Sequence, residues 1–301
     1  MLDRRTFLQL LAGGAAGCLL PKGPLAAFPL ASAETASLAV VKGPNPAAIT
    51  RKAVELLGGM EQFVSTGDVV FVKPNISWDR VPEQAATTNP AVVETVVRMV
   101  LEAGAKKVLV SDNTCNDARR CYKRSGIAEA AERAGADVSF MEERKFQKVD
   151  LGGEVLSEWP VYRDVIEADK IINIPIAKHH GLSGVTLSMK NLMGLIGGAR
   201  NRLHQKMAES VVDLAAYFKP TLHILDANRI LTARGPASGT TKDIEVLNTV
   251  AACADPVRID AFGITLFGKE PGEFEHVRLG EERGLGTSNV KAPGFTEVSL
   301  G

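Results

Sequence analysis

A chain of 301 residues, 45% hydrophobic and 23% charged, has a globular composition and room for one large α/β unit or two smaller ones. Lys+Arg and Asp+Glu stand at 35 each, so no overall field recruits nucleic acid or an anionic membrane surface. No helical repeat and no low-complexity tract is visible.

The first 33 residues read as a signal peptide rather than as fold. Asp3-Arg4-Arg5-Thr6-Phe7-Leu8-Gln9 is a twin-arginine pattern, an apolar run follows from Leu10 to Leu20, and Ala31-Ser32-Ala33 offers a small-residue cleavage site. The run is too short and Gly-rich to span a bilayer, which takes roughly 20 residues. No stable membrane span is therefore expected after cleavage. The twin-arginine translocase is the expected export partner and the periplasm, or another exported compartment, the expected location. An uncleaved anchor or a chance Arg pair is the alternative. A lipoprotein reading through Cys18 is weakened because Ala15, three positions before it, is not Leu. The twin-arginine route carries folded proteins, often with a cofactor already loaded. Without residues 1–33, 32 basic residues face 34 acidic ones, so the mature chain is near neutral.

Residues 37–42 predict a short strand. Asn45-Pro46 then caps a helix that Gly58-Gly59 stops. Residues 69–72 form a continuous β-branched run, as in a strand buried on both faces. Asn89-Pro90 opens the clearest helix, with Val92, Val93, Val96, Val97 and Val100 on one stripe and Gly104 beyond it. A strand over 107–111, a helix over 126–134 and a strand over 138–141 complete a β-α-β-α-β cadence. That cadence predicts an α/β fold: a mainly parallel sheet flanked by helices on both faces, a three-layer sandwich. It is either a single domain over 34–301 or two lobes, 34–165 and 166–301.

Residues 144–162 interrupt the cadence, with Gly152-Gly153 as a hairpin turn. It resumes with a strand over 171–176, a helix over 207–218, a strand over 221–225 ending at Asp226, and a strand over 246–253. Asp255-Pro256 caps a further helix, and 273–283 suggests another. Residues 232–241, rich in Gly, Thr and Ser, read as a mobile loop.

Beyond Cys18, the cysteines are Cys115, Cys121 and Cys253, with no C-x-x-C pair. A four-thiolate iron–sulfur cluster within this chain is thereby excluded. In an oxidising compartment Cys115 and Cys121 either form a disulfide or stand as two free thiols, and both readings are open.

The most informative stretch is KIINIPIAKHHGLSGVTLSMKNLMGLIGG, from Lys170 to Gly198. A core-like strand ends in Lys178, His179 and His180. After a Gly/Ser turn, a helix-like segment carries Lys190 and Asn191 among large apolar residues. Such groups are costly to bury unless they meet partners or a ligand. Ligands of open α/β sheets sit outside the carboxyl ends of the strands. Here four strands end in Lys73-Pro74-Asn75, Asp112-Asn113-Thr114, Lys178-His179-His180 and Asp226-Ala227-Asn228. Asn113 and Asn228 read as turn formers. Lys73 and Lys178 are not turn formers and directly follow buried runs. With Asn75 and Asp226 they form the expected binding set for a small anionic ligand or cofactor.

Lys190, if desolvated, is a candidate base or covalent nucleophile, with His180 and Asn191 beside it. The alternative is a lysine snorkelling beside an apolar face. His180, His204 and Asp226 would make a two-His, one-carboxylate set suited to a transition metal, although no H-E-x-x-H signature is present. His223, within a strand, reads as structural, and His276 carries no signal. Gly194, Gly197 and Gly198 would let backbone approach a phosphate, but no Walker or G-x-G-x-x-G pattern exists. Asp260 faces either its own helix N-terminus or the crevice.

Taken together, Val72-Lys73-Pro74-Asn75, Thr88-Asn89-Pro90, Pro175 to His180, Thr186 to Gly194, His204 to Asp213, Ile224-Leu225-Asp226 and Asp255-Pro256-Val257 resemble the family catalogued as domain of unknown function 362, over about residues 38–286. The resemblance implies that Lys73, Lys178, His180, Lys190, Asn191, His204 and Asp226 are signature positions. It assigns no activity. Many relatives carry a ferredoxin-type cysteine motif after this domain, implying redox partnership. This chain lacks it, which disfavours an electron-transfer role. The Cys115 to Cys121 loop resembles only a subgroup. The layout is similar, at a distance, to nickel-dependent lactate racemases, a likeness of fold alone. The expectation is an exported, metal- or cofactor-assisted enzyme acting on a small anionic substrate. A non-catalytic anion-binding or cofactor-delivery protein is the alternative, and a redox partner the second.

Overall fold

The computed structural model describes residues 36–301. The twin-arginine pattern, the apolar run and the cleavage site lie outside them. In chain order the strands are β1 (Leu38–Lys42), β2 (Val69–Pro74), β3 (Lys107–Val110), β4 (Asp137–Val138), β5 (Phe146–Asp150), β6 (Glu158–Tyr162), β7 (Lys170–Ile174), β8 (Ile176–His180), β9 (Gly184–Thr186), β10 (Leu222–Leu231), β11 (Ile244–Cys253) and β12 (Phe295–Ser299). The main sheet runs β12-β1-β11-β10-β7-β2-β3-β4, with β8 and β9 appended to β10. Neighbours from β10 through β7, β2 and β3 to β4 are parallel, as are β1 and β12. The two pairs that β11 makes are antiparallel. The fold is therefore α/β with a mixed, mostly parallel sheet. β7 lies between β10 and β2, so strands from both halves of the chain share it.

Alternation along the strands divides the interior in two. Leu38, Val40, Phe71, Leu225 and Ala251 face a core that includes residues of the helices Met207–Phe218, Pro256–Thr265 and Glu275–Glu282. Ala39, Val41, Val70, Ile224 and Val250 face the other, with residues of the helices Pro46–Leu56, Pro90–Glu102 and Ile127–Ala134. This is the period of two expected of a pleated sheet covered on both faces. The caps follow the Asx-Pro pattern. Asn45, Asn89 and Asp255 each accept from first-turn backbone N–H groups, with Pro at the first helical position.

Three strand expectations need correction. Residues 171–176 are not one strand. Pro175, which has no N–H to give a ladder, separates β7 from β8. Lys178, His179 and His180 consequently form the end of the separate short strand β8, as expected of a strand tip, and from there the chain turns back as a hairpin with β9. Asp226 does not end its strand. β10 runs on to Leu231, paired with β11 as far as Ile244, so Asp226 sits mid-strand. The strand expected over 138–141 shrinks to Asp137–Val138.

Candidate functional site

A cavity of about 580 Å³ lies beyond the ends of β2 and β3, against the β8–β9 hairpin and the short helix Ser188–Asn191. Its floor is a buried polar lattice. Lys73 Nζ, at the end of β2, lies 2.9 Å from Asp112 Oδ1 and donates to Pro74 O at 2.8 Å and Asn191 Oδ1 at 3.0 Å. Asn75 Nδ2 donates to the same Asn191 oxygen at 2.9 Å, and Lys178 Nζ donates to Asn75 Oδ1 at 3.1 Å and to Ala86 O. Asn191 Nδ2 donates in turn to Asn173 Oδ1 at 2.8 Å. Each amide is thus oriented by its neighbour, and the chain of bonds fixes where both ammonium groups sit. Asp112 Oδ2 accepts from Ile76 N at 2.7 Å. Gly194 roofs the ion pair so closely that a Cβ there would stand 1.9 Å from Asp112 Oδ1 and 2.7 Å from Lys73 Nζ. Only glycine permits that approach.

Above the floor, Lys178, His180, Lys190, Arg200 and His204 border the cavity. Arg200 is braced by donating to Asn113 O at 2.8 Å and Thr114 O at 3.1 Å. Burial pulls the Lys178 ammonium down to about 7 and that of Lys190 to about 8. Burial also lowers Lys73, opposed by the Asp112 charge. His180 is pulled down to about 3, first by burial and then by the Lys190 charge, and His204 is lowered for the same reasons. Both imidazoles are neutral at pH 7. They stack with ring centroids 5.7 Å apart. His180 Nδ1 accepts from Leu182 N at 3.2 Å and Ser183 N at 3.3 Å, which leaves its proton on Nε2.

Of the residues expected at a site, Asn75, Lys178, His180, Lys190, Asn191 and His204 come together at the cavity, with Lys73 directly beneath. Asp226 does not join them. Its carboxylate accepts from Asn89 N at 2.7 Å, Asn228 N at 3.0 Å and Asn228 Nδ2 at 2.8 Å, and it borders a separate small void. The metal set of His180, His204 and Asp226 is therefore not assembled. Among the described residues no group of three His, Cys, Asp or Glu side chains could hold a metal ion. Asp260 faces neither its own helix start nor the crevice. It accepts from Ser188 N at 2.6 Å and Met189 N at 3.2 Å, so it caps the helix bearing Lys190. His276, without signal in the sequence, lies with Nε2 3.6 Å from Asp260 Oδ2. His223 Nδ1 meets Ser188 Oγ and Asn173 Nδ2, a buried structural position that extends the floor lattice. Cys115 and Cys121 are free thiols, Cys115 exposed and Cys121 buried.

Asp112, Arg200 and Thr186 contribute without having been singled out. Asp112 had a signal, a carboxylate at the end of a buried strand. Arg200 had none, since Ala199 to Arg202 reads as a solvated charged turn.

The residues of this floor and cavity fall within a match to a family model described as Domain of unknown function (DUF362), which spans residues 70–265. The chain belongs to that family. Within reach of this DUF362 chain, a thylakoid-associated protein of Synechocystis sp. is 26% identical over 243 residues, 78% of this chain and 74% of that one. The lactate racemase apoprotein from Thermoanaerobacterium thermosaccharolyticum is 10% identical, with a TM-score of 0.46 over 74% of this chain and 55% of that one. A Thermotoga maritima protein solved as a structural genomics target is 13% identical, with a TM-score of 0.38 over 79% of this chain and 59% of that one. The DUF362 chain thus spans a little over half the length of these solved chains.

Proposed function

We propose that this cavity binds a small anionic molecule and transfers a proton on it, with Arg200 supplying fixed charge, Lys178 charge while it is protonated, and Lys190 the proton that is exchanged. One observation carries the reading. Lys178, Lys190 and Arg200 border the cavity, and no carboxylate among the described residues lines it. The Asp112 charge below is already matched by Lys73. Cations gathered in a partly closed hollow favour an anion over any other occupant. Lys190, at about 8, exchanges its proton near neutral pH, as an acid–base group must. A resident metal cation fits this surface poorly, because its two imidazoles lie among positive charges.

Native mass spectrometry of protein isolated from its host would name the bound anion, and calorimetry would measure its affinity. Arg200→Gln is expected to weaken binding by about tenfold, the loss of one charge-assisted contact. Unchanged affinity in that variant would remove the anion reading. Lys190→Arg keeps the charge but holds its proton, so it separates enzyme from carrier. Binding kept with turnover lost supports the enzyme. Binding kept with no turnover in the parent protein supports the alternative, a non-catalytic anion carrier.

Export by the twin-arginine route belongs to the same proposal, supported by the pattern at Arg4-Arg5 and the small residues before Glu34. N-terminal sequencing of periplasmic protein should begin near Glu34. Protein found only in the cytoplasm with Met1 or Leu2 at its start would overturn it.

A further inference from the structure

Cys115 borders the cation-lined cavity, and its thiol is exposed. The two other described cysteines make a contrast within the same molecule. Burial pushes the Cys121 thiol up to about 11 and the Cys253 thiol to about 12, so both stay protonated and inert at neutral pH. Cys115 instead opens onto the cavity that Lys178 and Lys190 also border. The loop that carries it is anchored, Cys115 N donating to Ser77 O at 2.8 Å and Arg200 Nη2 to Thr114 O at 3.1 Å.

A second observation points to a ligand in the same place. Thr186 is 4% exposed, borders the cavity, and its Oγ1 has no hydrogen-bond partner. A buried hydroxyl left unpaired keeps the full penalty of having left water. A ligand oxygen seated in the cavity would satisfy it.

We propose that Cys115 is the covalent centre of this cavity, adding reversibly to the carbonyl carbon of a small anionic aldehyde or ketone whose acid group is held by the cations. Sγ forms a bond to the carbonyl carbon while the carbon–oxygen π bond opens. The thiol proton ends on the new hydroxyl oxygen, so the product is a hemithioacetal and nothing is oxidised or reduced. Lys190 is the cavity group that carries this proton, and the Thr186 hydroxyl is available to the new oxygen. The inference rests on the anion-site reading and deepens it by naming the substrate class.

The test uses the folded protein with glyoxylate carrying carbon-13 at its aldehyde carbon, observed by NMR. A hemithioacetal resonance is expected with the parent protein and none with Cys115→Ser. The side chain of Cys115 is exposed, so Cys115→Ser should fold, which circular dichroism checks. Calorimetry reads binding separately. Glyoxylate bound without an adduct overturns the covalent role and leaves the anion site standing. An adduct that persists in Cys115→Ser assigns it to another nucleophile and also overturns the role. No binding of glyoxylate or inorganic phosphate removes both readings. As an independent measure, the iodoacetate to iodoacetamide rate ratio at Cys115 should exceed that of free glutathione by about tenfold, the low end of electrostatic steering. A ratio equal to that of glutathione would count against the proposal.

Discussion

Lys73 Nζ and Asp112 Oδ1 lie 2.9 Å apart with side chains 1% and 0% exposed, joining the ends of β2 and β3 under the cavity. Two charges removed from water hold together only while both are present, because either alone keeps its desolvation penalty. Asp112→Asn should therefore destabilise the protein by about 3 kcal/mol. Adding Lys73→Met to it should recover part of that loss, a coupling that urea denaturation of the two single variants and the double variant would measure.

The lysines at the cavity predict opposite pH trends for folding and binding. Lys178 and Lys190 have folded values of about 7 and 8, below their unfolded value near 10.5. Between those limits the unfolded chain binds more protons, so the ligand-free protein gains stability as pH rises from about 7 toward 10. Anion affinity should fall over the start of the same range, by up to about tenfold per pH unit for each proton lost. Urea titrations and calorimetry between pH 6 and 10 check the two slopes. Affinity that rises with pH would contradict the assigned charges.

Asp260 predicts a slope of the other sign in acid. Burial raises its carboxyl to about 7 although it caps the helix bearing Lys190. From about pH 4, the unfolded value, up to 7 the folded protein holds a proton that the unfolded chain has released. Its contribution to stability therefore declines as pH rises through that window. Asp260→Asn should flatten this component in urea melts taken from pH 4 to 7.

Gly194 admits no side chain. A Cβ at that position would meet both members of the buried ion pair. Gly194→Ala should destabilise by about 2 kcal/mol through overpacking and weaken anion binding along with it. Thermal melting with calorimetry would show the two losses together.

Asp213 offers a control outside the cavity. Its carboxylate accepts from Glu154 N, Val155 N and Leu156 N at 3.1, 2.9 and 3.0 Å, and from Arg283 Nη1 at 2.6 Å. Asp213→Ala orphans those donors and should cost about 2 to 3 kcal/mol, with anion affinity unchanged.

Local rules carried far in this chain. The Asx-Pro caps at Asn45, Asn89 and Asp255 depend on contacts within three residues, and so does the amphipathic stripe of Pro90–Glu102. Lys73 and Lys178 stood out because each directly follows a buried run without being a turn former, and both prove to be buried. Asp226, expected at the end of its strand, was drawn into the same set, yet it accepts from the Asn89 backbone 137 residues away. Periodicity gives no hint of that pairing. Arg200 could not be told from a solvated charge, since only its bonds to Asn113 O and Thr114 O bring it to the cavity.

By itself the sequence determined the α/β alternation, most helix starts, and the short set of polar residues in apolar surroundings from which a site had to be drawn. Those follow from hydrogen bonds and side-chain periods spanning a few residues. Only the tertiary structure decided that Lys178 and His180 turn through a separate hairpin, that Lys73 meets Asp112, and that Asp226 is committed elsewhere. The reason is physical. A buried charge takes whichever counter-charge or donor the packed sheet brings within about 3 Å, and strand order, unlike strand content, is set by long-range packing.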